Sequence, residues 1–155
     1  MTMDDSRELK LELTLDAPRA KIWRCWTESD LLKQWFTPKP WSTVYADLDV
    51  RPGGRMNVTM RSPEGEEIPS TGVYLEIVPR ERLVTTDAYS AGWLPSEKPF
   101  MTSIITLADA GPEKTAYRAV VRHWRTQDRE VHEKMGFHDG WTAAARQLEA
   151  LAKTL

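Results

Sequence analysis

The chain has a single cysteine, Cys25, so it cannot close an internal disulfide. Its longest apolar runs are a few residues, far short of the ~20 that a membrane-spanning helix needs. It has no surplus of positive charge: 21 Lys and Arg face 23 Asp and Glu, a net charge of −2, which argues against a general nucleic-acid binder. Its eight glycines build no Gly-x-x-x-x-Gly-Lys loop, no Gly-x-Gly-x-x-Gly and no Gly-x-Ser-x-Gly elbow, so the common phosphate, dinucleotide and serine-hydrolase motifs are missing. Three histidines and one cysteine are a thin supply of metal ligands. His132-Glu133 begins like a zinc-protease helix, but His138 follows six residues on, a turn of about 600° that puts the two rings on different faces. No metal and no cofactor is expected. Residues 1–6 are acidic and polar and carry no apolar signal core; they are expected to form a frayed leader, and the setting expected is a reducing cytoplasm.

What the chain does have is length for one domain, residues 7–155, and seven tryptophans among its aromatics. Leu9, Leu11, Leu13 and Leu15 alternate with polar residues, the period of a half-buried strand. Asp16-Ala17-Pro18 predicts a helix start with Asp16 as cap and Pro18 in the first turn, and Ile22, Trp23 and Trp26 mark its apolar side. Ser29 or Asp30 is expected to cap a shorter helix through Trp35 and Phe36, ended by Pro38 and Pro40. From Ser42 to Trp124 about six strands alternate with turns at Pro52-Gly53-Gly54, Ser62 to Gly65, Pro79-Arg80 and Asp109 to Pro112, an antiparallel meander with a longer loop over 89–99. Phe137, Trp141, Ala144, Leu148, Leu151 and Leu155 then step by three and four along a long helix, with Thr126 or Asp128 at its start. One amphipathic helix needs a large apolar surface to cover it. A curved sheet wrapped around the helix provides one, giving an α+β fold.

The segments Ala17-Pro18 to Trp26, Leu31 to Phe36 with Pro38, Asp49 to Arg55, Gly72 to Pro79 with Arg82-Leu83-Val84, and His132 to Gly136 with Gly140-Trp141 occur in one order. This set resembles the START-like (SRPBCC, helix-grip) superfamily, and within it the branch named after the activator of the ATPase of the 90-kDa heat-shock protein. The resemblance implies a curved antiparallel sheet of six or seven strands gripping the C-terminal helix, two short helices after the first strand, and a ligand cavity between helix and sheet. Folds of this class host carriers, polyketide cyclases, hormone receptors and cochaperone domains, so the fold alone does not choose among them.

Three functions follow as expectations. The first is a small apolar or aromatic ligand bound in that cavity, with Trp35, Trp41, Trp93, Tyr117, His123, Met135 and Trp141 as lining and Tyr117 and His123 orienting it. The second is an enzyme of cyclase, dehydratase or hydrolase type on the same cavity, with His123 as its acid–base residue because it shares parity with the apolar face of its strand. The third is an interaction domain, with a chaperone or a second copy as partner. Neither nucleic acid nor a membrane is an expected partner. Trp23, Trp26 and Trp141 are read chiefly as core, and Glu76 as a part-buried carboxylate paired with Arg82. Gly136 and Gly140, four apart, serve either close packing or ligand space; their spacing does not separate the two.

Overall fold

The computed structural model describes residues 5–155, so residues 1–4 of the expected leader lie outside it. After a 3-10 turn at Asp5–Arg7, the chain forms β1 (Glu8–Leu15), α1 (Arg19–Thr27) and α2 (Ser29–Leu32). Eight short strands follow, β2 (Ser42–Leu48), β3 (Met56–Arg61), β4 (Glu67–Ser70), β5 (Val73–Val78), β6 (Arg82–Thr86), β7 (Tyr89–Ser90), β8 (Leu94–Pro95) and β9 (Met101–Asp109). The chain then closes with β10 (Thr115–His123), α3 (Thr126–Lys134) and α4 (Phe137–Ala152). No helix among the described residues is long and apolar enough to cross a membrane.

The strands build the expected antiparallel meander. One sheet runs β1-β10-β9-β6-β5 and a second β2-β3-β4. They are continuous in practice. The run β4–β5 pairs with β3 at its start and with β6 at its end, and the Met56 amide donates to the Gly72 carbonyl at the junction. Gly72 is needed there: a Cβ would stand 2.6 Å from the Thr86 carbonyl oxygen. Counting that run once gives seven strands curving around α4. The fold is the helix-grip type.

Register divides the sheet into two faces, because directly paired residues point the same way. Leu11, Ala119, Ile105 and Leu83 form one inward row, and Leu9, Val121 and Ser103 another, all buried. Against these rows α4 sets Phe137, Ala144, Ala145, Leu148 and Ala152. The small alanines let helix and sheet approach closely. Outside, Val84, Ile104 and Val120 form a separate apolar row covered by the stems of charged residues such as Lys10, Arg82, Arg118 and Arg122.

Several local expectations change. Helix α1 starts from Pro18 in extended conformation, with no side-chain cap; the Asp16 amide instead donates to Glu149. Glu28 takes the N-cap place of α2, whose helix proper stops at Leu32. Strand β4 is exposed throughout and contains Pro69, so it lacks any apolar alternation. A bulge between Tyr74 and Glu76 breaks parity, leaving Glu76 exposed and paired with Arg82 at 2.8 Å on the outer face. The long terminal helix is two helices. Gly136, at φ 96°, ψ 40°, separates them, so Gly136 and Gly140 do not share one helix and Thr126 is the first residue of α3.

Candidate functional site

The helices on the sheet's open side are tied down by polar groups on α4. Gln147 donates from Nε2 to the Trp35 and Thr37 carbonyls, both at 2.9 Å, and accepts the Lys39 amide at 3.0 Å. It thereby holds the chain after α2 against α4. Trp35, expected at a rim, is core: it is 3% exposed, donates to the Cys25 carbonyl at 2.9 Å and meets Trp26 edge-on at 4.8 Å. Cys25 is fully buried between these indoles, and burial pushes its thiol up to about 11, so it stays protonated and unreactive near neutral pH.

Where β2 and β3 face the core, the sheet is less well covered. Ala46 pairs with Val58, which is buried, so Ala46, Leu48, Val50 and Met56 share that inward side. Yet these four remain only partly buried, as do Met101 of β9 and Trp141 of α4. Gly140 contributes to the same openness. A Cβ there would meet only Pro38, at 4.0 Å. Tyr74 sits fully buried at the adjoining end of β5, and its hydroxyl finds no hydrogen-bond partner among the described residues. Burial pushes that hydroxyl far up, so it is a neutral donor.

At the end of β10, His123 points inward as its parity predicts and is 2% exposed. Its Nδ1 lies 2.9 Å from the Arg7 carbonyl oxygen, an atom that only accepts, so Nδ1 carries the proton. Its Nε2 lies 2.8 Å from Nδ1 of His132 on α3. Around this pair stand Phe100, edge-on to His123 at 5.3 Å, and Phe137, edge-on to His132 at 5.1 Å; Trp141 follows at 6.3 Å from His132. Burial among these rings, with the His123 charge secondary, pushes His132 down to about 4. The fold joins His123 to His132, nine residues on, across the turn between β10 and α3, whereas the sequence motif pairs His132 with His138.

Of the residues named from sequence, His123 and Trp141 share one end of the concave face. Tyr117 is buried farther along the same face; burial pushes its hydroxyl up, opposed by the Trp26 indole beside it. Trp41 is half-buried beyond the Pro38–Pro40 turn. Two others stand apart. Met135 is 75% exposed at the α3–α4 junction, and Trp93 is 55% exposed at φ 57° in the β7–β8 hairpin, its ring laid over Gly53. Leu48, Val50, Met56 and Met101 are not among those named residues, although Val44, Ala46, Leu48 and Val50 alternate with polar residues in the sequence. Two surface depressions of about 230 and 450 Å³ lie elsewhere, on the outer face of β1, β10 and β9, with Arg118 and Thr106 lining both. No group of three His, Cys, Asp or Glu side chains converges on a common point among the described residues.

Comparisons with known proteins bear on the whole chain. The model of the family described as Activator of Hsp90 ATPase homolog 1-like protein matches residues 16–153. A crystal structure of a Nitrosomonas europaea protein is 39% identical, with a TM-score of 0.93 over 98% of this chain and 97% of that one. A Mycobacterium smegmatis protein, 22% identical over 95% of this chain and 91% of its own, has a TM-score of 0.79. A solution structure from Arthrobacter aurescens, 16% identical over 99% and 91%, has 0.83; these two likenesses speak for the fold alone. No curated protein matches the sequence.

Proposed function

The chain belongs to the family of Activator of Hsp90 ATPase homolog 1-like proteins, and from that premise we propose that it binds a small apolar or aromatic molecule between α4 and the β2–β3 side of the sheet. The observation that carries this reading is the half-covered inward row Leu48, Val50 and Met56, with Met101 and Trp141 beside it. On the neighbouring strands of the same face Leu9, Leu11, Leu83, Ile105, Ala119 and Val121 are buried, while Leu13 and Ile77 at its margins are half-buried. A sheet that can close on its helix at one end and leaves apolar side chains accessible at the other supports a ligand that completes the core. Covering about 300 Å² of apolar ligand surface contributes about 7.5 kcal/mol before ordering costs, less than the roughly 8.2 kcal/mol of a 1 μM complex, so burial alone gives weaker than micromolar binding and polar contacts must add to it.

His123 supports binding better than catalysis. Both its ring nitrogens are engaged, one by the Arg7 carbonyl and one by His132, so it offers no free base to a substrate. The test is mass spectrometry of small molecules that co-purify with the native protein and leave on denaturation. A bound apolar metabolite supports the reading. Its absence, together with failure of a broad panel of apolar ligands to change tryptophan fluorescence, counts against it.

A further inference from the structure

Helix α3 has no buried residue, although it lies between β10 and α4. Its half-buried positions are Thr126, Asp128, Arg129 and His132. Its described polar ties to the body, apart from His132, lie at the surface: Arg129 Nε donates to the Ser6 carbonyl at 3.0 Å, the Thr126 and Ser6 hydroxyls meet at 3.2 Å, and Glu133 lies 3.9 Å from His138 of α4. Arg125–Asp128 and Arg129–Glu133 pair within the helix itself. One ring of α3 reaches inward, that of His132, set among Phe100, His123, Phe137 and Trp141. Behind it, Gly136 ends the helix in the left-handed region, its amide donating to the Glu133 carbonyl at 3.1 Å, and no side chain packs over the joint within 4 Å of an added Cβ.

We propose that α3 is a flap hinged at Gly136 and latched by the His132–His123 hydrogen bond, and that acid releases it. The latch requires an uneven sharing of protons. With His123 Nδ1 donating to Arg7, neutral His123 presents Nε2 as an acceptor and His132 Nδ1 supplies the proton. A single added proton on the pair still leaves one N–H between the two nitrogens, whichever ring carries it. A second added proton puts two N–H groups and two positive charges face to face.

The charged groups around the pair compensate only in part. A charge on His123 attracts the Asp128 carboxylate, which is also engaged by Arg125 at 3.0 Å. Asp87 is occupied by the Phe100 and Met101 amides. On the β1 side Arg7 supplies its carbonyl, and Glu8 is bound outward by Arg122. From α4, His138 faces Glu133 at 3.9 Å across the joint, a contact that protonation strengthens and that opposes release; Asp139 sits in the first turn. Closure therefore disfavours the doubly charged pair, and burial among the Phe100, Phe137 and Trp141 rings disfavours a charge on His132. An imidazole ordinarily near 6.5 and held at about 4 in the closed flap gives a closing preference complete above 6.5 and lost as pH falls toward 4. At pH 5 the open fraction rises roughly 30-fold over pH 7.5.

Hydrogen exchange of the full chain, read by mass spectrometry and corrected for intrinsic rates, tests this without any ligand. It therefore succeeds or fails independently of the binding reading, on which only the flap's role as a cover over Trp141 and Met101 rests. From pH 7.5 to 5, protection over residues 126–135 should fall at least ten-fold while residues 144–152 keep theirs. In His132→Gln the amide donates or accepts as His123 requires and takes no proton, so protection should stay flat. In His132→Ala it should be low at both pH values. Protection that does not change with pH in the wild type, the same loss in His132→Gln, or wild-type protection in His132→Ala at pH 7.5 each overturns the proposal. If the Gln variant does not fold, the wild-type profile and the Ala variant decide between the same outcomes.

Discussion

Replacing Gly136 and Gly140 by alanine, one at a time, should change stability in opposite directions. At Gly136 the backbone lies at φ 96°, where a side chain is opposed by its own backbone whatever space surrounds it. Nothing stands within 4 Å of the added Cβ, so no clash adds to the cost. The left-handed penalty is about 1–2 kcal/mol, and the smaller entropy of the unfolded Ala chain offsets up to about 1. A net loss of about 1 kcal/mol follows. Gly140 lies inside α4 with ordinary helical geometry, and its Cβ would touch Pro38 at 4.0 Å, a normal contact. Alanine there should gain about 1 kcal/mol from helix propensity alone. Urea unfolding followed by tryptophan fluorescence, with unchanged m-values, would read a gap of about 2 kcal/mol between the variants. Asn at 136, which tolerates the left-handed region, should recover part of the loss. If Gly136→Ala is as stable as the wild type, the chain through 126–152 is one continuous helix in solution, and the joint between α3 and α4 does not exist.

Other perturbations isolate single contacts. Gln147→Ala removes three hydrogen bonds between α4 and residues 35–39, and should cost about 2–3 kcal/mol in urea midpoint analysis. Tyr74→Phe removes a buried hydroxyl that has no partner among the described residues, and should raise stability by about 1 kcal/mol in thermal unfolding. Trp35→Ala empties a core site and should cost about 3–5 kcal/mol, whereas Trp93→Ala, largely exposed, should cost less than about 1; equal losses would contradict the division of tryptophans between core and surface.

The framework of the fold was legible because burial imposes a period. The leucines of β1, the alternation of β2 and the three–four spacing of α4 each state which side faces inward, and the structure places those sides together. What escaped was set by events that leave no period. Strand β4 carries no apolar face because it is an exposed edge, so its Glu-Ile-Pro-Ser, after the turn at Ser62 to Gly65, gives no strand signal. One bulge at Leu75 turns Glu76 outward against its apparent parity. A glycine that ends a helix and one tolerated inside it look alike in sequence, yet Gly136 and Gly140 do opposite things. The candidate site was legible only in outline. Trp35 sits among prolines, as a rim residue would, and is drawn into the core by a Cys25 carbonyl ten residues earlier. His123 meets His132 through the turn of the chain after β10, and Gln147 looks like a surface position until residues 35–39 fold onto it.

The most direct test of the binding reading is to fill the opening. Met56 is half-buried on the inward side of β3, beside Leu48, and a Met56→Trp substitution puts an indole where the ligand would lie. Titration with 8-anilino-1-naphthalenesulfonate, monitored by dye fluorescence with near-UV circular dichroism as the check on native packing, should give saturable one-to-one binding to the wild type. The Met56→Trp protein should keep its fold and bind at least ten-fold more weakly. Equal binding by a folded Met56→Trp protein, or no binding by the wild type, would contradict a ligand site between α4 and β2–β3.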